Sequence, residues 1–193
     1  LFNKPIDVVN GMLSTKFSKK PLLAQANLTV LANGYYYGQN RDMTVTSYRI
    51  ESLNMEKGFY MDVNGNTATA YGLIAAAEKA NLQLFLGSYP ITPATDILHE
   101  LVKRKELGVK VVQAEDEIAG VCTAIGASFA GDLAVTSTSG PGLALKGEAI
   151  GLAVMAELPL VIVDVQRGGP STGLPTKTEQ TDLRQALNGR NGE

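Results

Sequence analysis

From about residue 62 onward, short apolar runs alternate with helix-length stretches of small or amphipathic composition, and this rhythm limits the fold more than any other feature. LQLFLGS, VKVVQA, DLAVTSTS and LPLVIVDVQ read as strands. NTATAYGLIAAAEKA, PATDILHELVKRKE, DEIAGVCTAIGASFA and LALKGEAIGLAVMAE read as helices. The strands are apolar along most of their length, which a sheet wetted on one face does not tolerate. The pattern therefore predicts an α/β fold, a parallel sheet with helices on both faces. Asn66 is placed to cap the first of these helices, and Gly108 and Gly131 to stop the second and third. The small residues Ala119, Gly120, Ala124, Gly126 and Ala127 predict a central helix packed closely on both sides.

Residues 1–60 have a different texture. A Lys-rich opening leads to PLLAQANLTVLANGYYYG, a helix with Pro21 in its first turn, and then to TVTSYRIESL, which has strand composition. The Tyr35-Tyr36-Tyr37 run reads as a packed helix end rather than a binding platform. Residues 1–60 are expected to be the tail of a preceding domain plus a linker, and 61–193 a second domain cut short at its C-terminus. The chain opens on Leu1 and closes on Asn-Gly-Arg-Asn-Gly-Glu, and both ends read as interruptions.

With 193 residues and 45% hydrophobic composition, the chain can bury one substantial core. A net charge of -2 gives no electrostatic footprint for nucleic acid. No run reaches the roughly 18 apolar residues of a membrane span. Cys122 is the single cysteine and His99 the single histidine, which excludes an internal disulfide and a four-cysteine cluster and leaves no metal site of the usual kind. Cys122 itself reads as a small core residue, and reducing cytoplasm as the expected compartment.

Ligands of open parallel sheets bind beyond the carboxyl ends of the strands. Those ends are SYPITP (88–93), QAED (113–116), STSGPG (137–142) and QRGGPSTGLPT (166–176). Thr92 precedes Pro93 and is either a helix cap or a hydroxyl presented to a ligand. Glu115 is either a helix-dipole acid, as Asp116 and Glu117 are expected to be, or a chemical carboxylate in the crevice. Ser139 and Gly140 belong to a backbone turn that a flat ligand can approach; no Walker ending and no dinucleotide fingerprint accompany it. Arg167 either pairs with a nearby acid or offers its fork to a ligand carboxylate. Lys146 reads as a solvated helix residue.

Taken together and in order, GNTATAYG, YPITPATD, QAEDEIAG, TSTSGPG and ELPLVIVDVQRGGPSTGLPT resemble the alpha subunits of 2-oxoacid:ferredoxin oxidoreductases, over residues 62–187. The resemblance implies a thiamine-diphosphate-binding fold, specifically the domain that holds the pyrimidine. Residues 1–60 resemble more loosely the gamma-domain end of fused gamma-alpha chains. By resemblance, Glu115 bonds N1' of the cofactor's aminopyrimidine and promotes its imino form, Thr92 contacts the 2-oxoacid, and Arg167 holds the substrate carboxylate. Ser139 and Gly140 then line the cofactor.

The implied reaction is oxidative decarboxylation of a 2-oxoacid to an acyl-coenzyme A, with electrons passed to ferredoxin; the fused-type motifs favour 2-oxoglutarate. Mg2+ and an iron-sulfur cluster are expected on a partner beta subunit. The alternatives are a pyruvate-specific relative, a non-redox decarboxylase or synthase using the same cofactor, and a non-catalytic assembly subunit.

Overall fold

The computed structural model describes residues 5–41, 48–51, 53–169, 173–174, 177, 179 and 182–189, which divide into two compact units, Leu1–Phe59 and Tyr60–Glu193. The first unit holds α1 (Ile6–Lys16) and α2 (Pro21–Asn40), which pack on each other. Pro21 stands in the first turn of α2 as its missing N–H allows. Neither helix contains a buried residue. The tyrosine run lies within α2 with Tyr36 58% and Tyr37 55% exposed, so it is not the packed helix end its composition suggests. Most of TVTSYRIESL falls outside the described residues, and its described part, 48–51 and 53, is not strand.

The second unit starts with α3 (Gly65–Ala80), followed by β1 (Leu84–Ser88), α4 (Thr95–Val102), β2 (Lys110–Gln113), α5 (Glu117–Phe129) and β3 (Leu133–Thr138). It continues with α6 (Gly140–Leu145), α7 (Gly147–Met155), β4 (Val161–Asp164) and a short α8 (Leu183–Asn188). The sheet has the order β2-β1-β3-β4 and every pairing is parallel. The α/β architecture expected from the strand pattern is therefore the one found. Period-two geometry sends Leu84 and Leu86 to one face and Phe85 to the other.

On the first face, Ala70 and Ala77 of α3 and Ile97, Leu98 and Leu101 of α4 close over Leu84, Leu86 and Val135. Each of these larger side chains contributes roughly 1.5–3 kcal/mol by leaving water. On the second face, α5 lies on β1 and β3, and Val121 and Ile125 meet Ala149 and Ala153 of α7. The approach of α5 to the sheet is very close. A Cβ on Gly87 would collide with the Gly120 carbonyl, the Thr123 hydroxyl and the Ala124 nitrogen, so β1 needs glycine there.

Several local expectations are corrected. Asn64, not Asn66, caps α3, accepting from the Thr67 N–H at 2.9 Å. Helix α4 ends at Val102, and a 3-10 turn, Lys105–Leu107, leads to left-handed Gly108. The stretch LALKGEAIGLAVMAE is two helices, broken at Lys146. Helix α5 buries Gly120, Ala124 and Ala127, but it is not packed all round. Ile118 (53%), Cys122 and Phe129 (82%) are exposed, so Cys122 is not a core residue of this chain.

Candidate active site

The carboxyl ends of β1 and β3, adjacent in the sheet, carry an unusual density of buried hydroxyls. Ser88, Thr136, Ser137, Thr138 and Ser139 are all fully buried. Such groups are costly in an apolar interior unless they bond one another. Ser88 and Ser137 share a 2.6 Å hydrogen bond, and Tyr89 and Thr138 one of 2.9 Å. Burial pushes the Tyr89 hydroxyl well above the usual tyrosine range, against the opposing effect of its bond to Thr138. The Ser139 hydroxyl, at the start of α6, is buried with no hydrogen-bond partner among the described residues.

Gly142, in the SGPG turn, fits because it lacks a side chain. A Cβ there would meet the Tyr89 and Thr138 oxygens and lie 2.8 Å from Cγ of Glu117. This one position therefore brings the loops after β1 and β3 against the start of α5.

Lys146 is the residue that the sequence did not disclose. It reads as a solvated helix lysine, yet it is fully buried. Its Nζ donates to the Glu117 carbonyl at 2.8 Å and to the Thr136 hydroxyl at 3.2 Å, and lies 5.0 Å from the centre of the Tyr89 ring. Burial lowers its pKa to about 8, while Glu117, Asp116 and Cys122 pull the other way. The single available signal was the glycine at 147, where the helix breaks.

The end of β2 is built differently. β2 is an edge strand, mostly exposed in this chain. Asp116 is the cap of α5 and accepts from the Ala119 N–H at 2.8 Å, so its role is more specific than dipole compensation. Glu115 is exposed, not enclosed, because among the described residues the edge strand has no neighbour on its outer side.

Thr92 and Arg167, 75 residues apart, come together: Nη1 of Arg167 donates to the Thr92 carbonyl at 2.8 Å. Arg167 is buried and Thr92 exposed. Thr92 does not cap a helix. It occupies a turn with a cis Thr92-Pro93 bond, and α4 begins at Thr95, whose hydroxyl is bonded to both the N–H and the carbonyl of Ile91. Asn66 reaches into the same loop and donates to the Pro93 carbonyl at 2.8 Å. Part of QRGGPSTGLPT lies outside the described residues.

Beside this loop, Asn66 and Thr69 of α3 face Asp164 and Gln166 across an open cleft of about 570 Å³. Both Asp164 carboxylate oxygens are buried and without a hydrogen-bond partner among the described residues. Burial, with help from Asp182, raises its pKa to about 6. Among the described residues no three His, Cys, Asp or Glu side chains gather to hold a metal ion. None of the described helices is long and apolar enough to cross a membrane.

The carboxyl end of an open parallel sheet is where many cofactor-dependent enzymes place their ligands. The family described as pyruvate flavodoxin/ferredoxin oxidoreductase, thiamine diP-bdg, matches residues 75–191, and the chain belongs to it. Among its relatives, the 2-oxoglutarate oxidoreductase subunit KorA of Mycobacterium tuberculosis is 54% identical over 193 residues, covering 100% of this chain and 30% of that protein. The 2-oxoglutarate synthase subunit KorA of Methanocaldococcus jannaschii is 46% identical over 132 residues, 68% of this chain and 35% of that protein.

A solved structure, 2-oxoglutarate:ferredoxin oxidoreductase from Magnetococcus marinus with 2-oxoglutarate, coenzyme A and succinyl-CoA bound, is 40% identical with a TM-score of 0.65. The match covers 99% of this chain and 32% of that one. The chain thus spans about a third of the length of the relatives it matches.

The site fits one end of thiamine diphosphate. The exposed carboxylate at Glu115 suits a ring nitrogen, and the Ser139 hydroxyl is a buried polar group with no partner among the described residues. The space beside Gly140 and Gly142 is taken by Asp182 and by Tyr89, Thr138 and Glu117.

Proposed function

We propose that this chain supplies the pyrimidine half of a thiamine-diphosphate site in the alpha subunit of a 2-oxoacid:ferredoxin oxidoreductase, with 2-oxoglutarate as substrate. The reaction consumes a 2-oxoacid, coenzyme A and two oxidised ferredoxins, and yields acyl-coenzyme A, CO2, a proton and two reduced ferredoxins. Residues 61–193 form the pyrimidine-binding domain, and residues 1–60 the end of a gamma-like domain with its linker. A beta subunit provides Mg2+, the iron-sulfur cluster and the surface that covers Glu115. The assembly works in the cytoplasm.

The observation that carries this reading is the meeting of Arg167 with Thr92 beyond the strand ends, in a chain whose relatives bear 2-oxoglutarate in their names. Thiamine diphosphate, when bound, supplies a nucleophilic carbon and an electron sink for decarboxylation. Glu115 accepts a hydrogen bond from the protonated ring nitrogen N1', and Ser139 and Gly140 line the ring. Arg167 directs its fork to the substrate carboxylate while its bond to the Thr92 carbonyl fixes its direction; the Thr92 hydroxyl bonds the 2-oxoacid. Exclusion of water by the partner strengthens each of these contacts.

The test is viologen reduction by the complex of the full-length subunit with its beta partner, given coenzyme A and a panel of 2-oxoacids. Wild type should prefer 2-oxoglutarate, and Glu115→Gln should lose about 10²–10³ in kcat. Full activity in Glu115→Gln, or no turnover with any 2-oxoacid, rejects the reading.

A further inference from the structure

Lys146 has no part in the reaction as just described, yet it is the largest of the fully buried side chains. Its surroundings make packing a poor explanation. Methionine would fill the same space without burying a charge, and an ammonium with no carboxylate within ion-pair distance among the described residues is an expensive filler. What the ammonium offers is direction. Two of its protons go to acceptors on different elements, the Glu117 carbonyl on α5 and the Thr136 hydroxyl on β3, while the Tyr89 ring lies beside it.

The position of the Glu117 carbonyl gives that direction a use. The segment joining β2 to α5 is pinned at its start, where the Ala114 N–H donates to the Ser88 carbonyl at 2.7 Å. It is pinned at its end by the Asp116 cap on Ala119 and by Lys146 on Glu117. Glu115 is the exposed residue between these fastenings. Its own side chain has no hydrogen bond within the described residues to orient it, so the backbone that carries it must be set by its neighbours.

We propose that Lys146 is a positioning residue of the cofactor site, which fixes the first turn of α5 and thereby the backbone that presents Glu115. The inference rests on the reading of Glu115 given under Proposed function. Lys146 touches neither substrate nor cofactor; it acts through the Glu117 carbonyl. Through Tyr89 and Thr136 it also ties that turn to the loop after β1 and to the end of β3, so three of the strand-end motifs share one fastening.

The experiment uses the apo complex of the full-length subunit with its beta partner, titrated with thiamine diphosphate and Mg2+, for wild type, Lys146→Met, Thr136→Val and Glu115→Gln. Lys146→Met, so long as it folds, should raise the thiamine-diphosphate dissociation constant about tenfold and lower kcat with it, as losing an outer support does elsewhere, whatever the fall in its thermal midpoint. The KM for the 2-oxoacid should stay within about twofold, because Thr92 and Arg167 keep their mutual bond. Thr136→Val, which removes one acceptor and keeps the shape, should weaken cofactor binding in the same sense by a smaller factor. It carries the test alone if Lys146→Met does not fold.

Unchanged cofactor affinity in a folded Lys146→Met complex, or in Thr136→Val when it stands alone, overturns the proposal. So does a loss of thermal stability without a change in affinity. If Glu115→Gln weakens cofactor binding and Lys146→Met does not, the positioning role alone fails. If Glu115→Gln also leaves binding and turnover intact, the reading of Glu115 fails first.

Discussion

At the carboxyl ends of β1 and β3, Ser88, Thr136, Ser137, Thr138 and Lys146 are fully buried and joined to partners within the chain. One strand over, at the end of β2, Glu115 is exposed and lies on the rim of the sheet. The two regions contain similar amounts of polar chemistry, and they differ in who completes it. The first is finished by this chain, so its hydrogen bonds contribute to folding. The second is left open in this chain, so its carboxylate contributes little to folding. A buried pair broken on one side leaves an unsatisfied group, whereas an exposed side chain can be changed without penalty.

That contrast can be broken in four ways. The largest effect is expected from Glu115→Gln, which should lower kcat of the complex by about two to three orders of magnitude. Its unfolding free energy should stay within roughly 0.5 kcal/mol of wild type in denaturant titration. A clear loss of stability would show that the end of β2 is not open after all.

Next comes Gly87→Ala, on the closed side. The new methyl meets backbone atoms of α5 that cannot step aside, so it should cost about 1–3 kcal/mol in the same titration. A neutral result would mean that α5 sits farther from β1 than the structure places it.

Ser137→Ala leaves the buried Ser88 hydroxyl with only the carbonyl of residue 137 to bond, and should cost about 1 kcal/mol. Ser139→Ala, which removes an unpartnered hydroxyl, should leave the free chain as stable or slightly more so. Equal losses in the two variants would erase the distinction between satisfied and waiting groups.

The fourth way turns on pH and belongs to Asp164. Its pKa is raised from 3.8 to about 6, so the native state holds a proton that the unfolded state has released in that window. The associated stabilisation is complete below about pH 3.8 and is lost as pH rises through about 6. Asp164→Asn should therefore melt higher than wild type by several degrees at pH 7.5 and at the same temperature at pH 4, in thermal scans of this chain. A wild type that gains stability between pH 4 and 6 through this residue would reverse the sign.

How much of this was legible in sequence depended on what fixed each feature. The strand-helix alternation was plain because burying a parallel sheet needs long apolar runs, and Leu84, Leu86 and Val135 supply them. The loops carrying Thr92, Glu115, Ser139 and Arg167 were legible for a similar reason: the sheet topology alone assigns them to one end. Caps were less secure. Asn64 and Asn66 are equally good on paper, and the second was instead drawn to the Pro93 carbonyl by a tertiary contact.

Lys146 was illegible because hydropathy cannot distinguish a lysine in water from one seated on a carbonyl, a hydroxyl and a ring. The exposure of Cys122, Ile118 and Phe129 was hidden for the opposite reason. An apolar helix looks the same whether its second face meets its own chain or something else.

The strand order carries a consequence for how the molecule is made. Every pairing is parallel, so no strand can find a neighbour through a tight hairpin, and β1 is central while coming first. Ser88 meets Ser137 49 residues later. A growing chain leaving the ribosome therefore cannot pair either edge of Leu84–Ser88 before β2 has emerged, nor its second edge before β3, a long-range closure of the kind that makes folding slow. During that interval Leu84, Phe85 and Leu86 are bare, and the helices that will cover them are the newborn chain's first shelter.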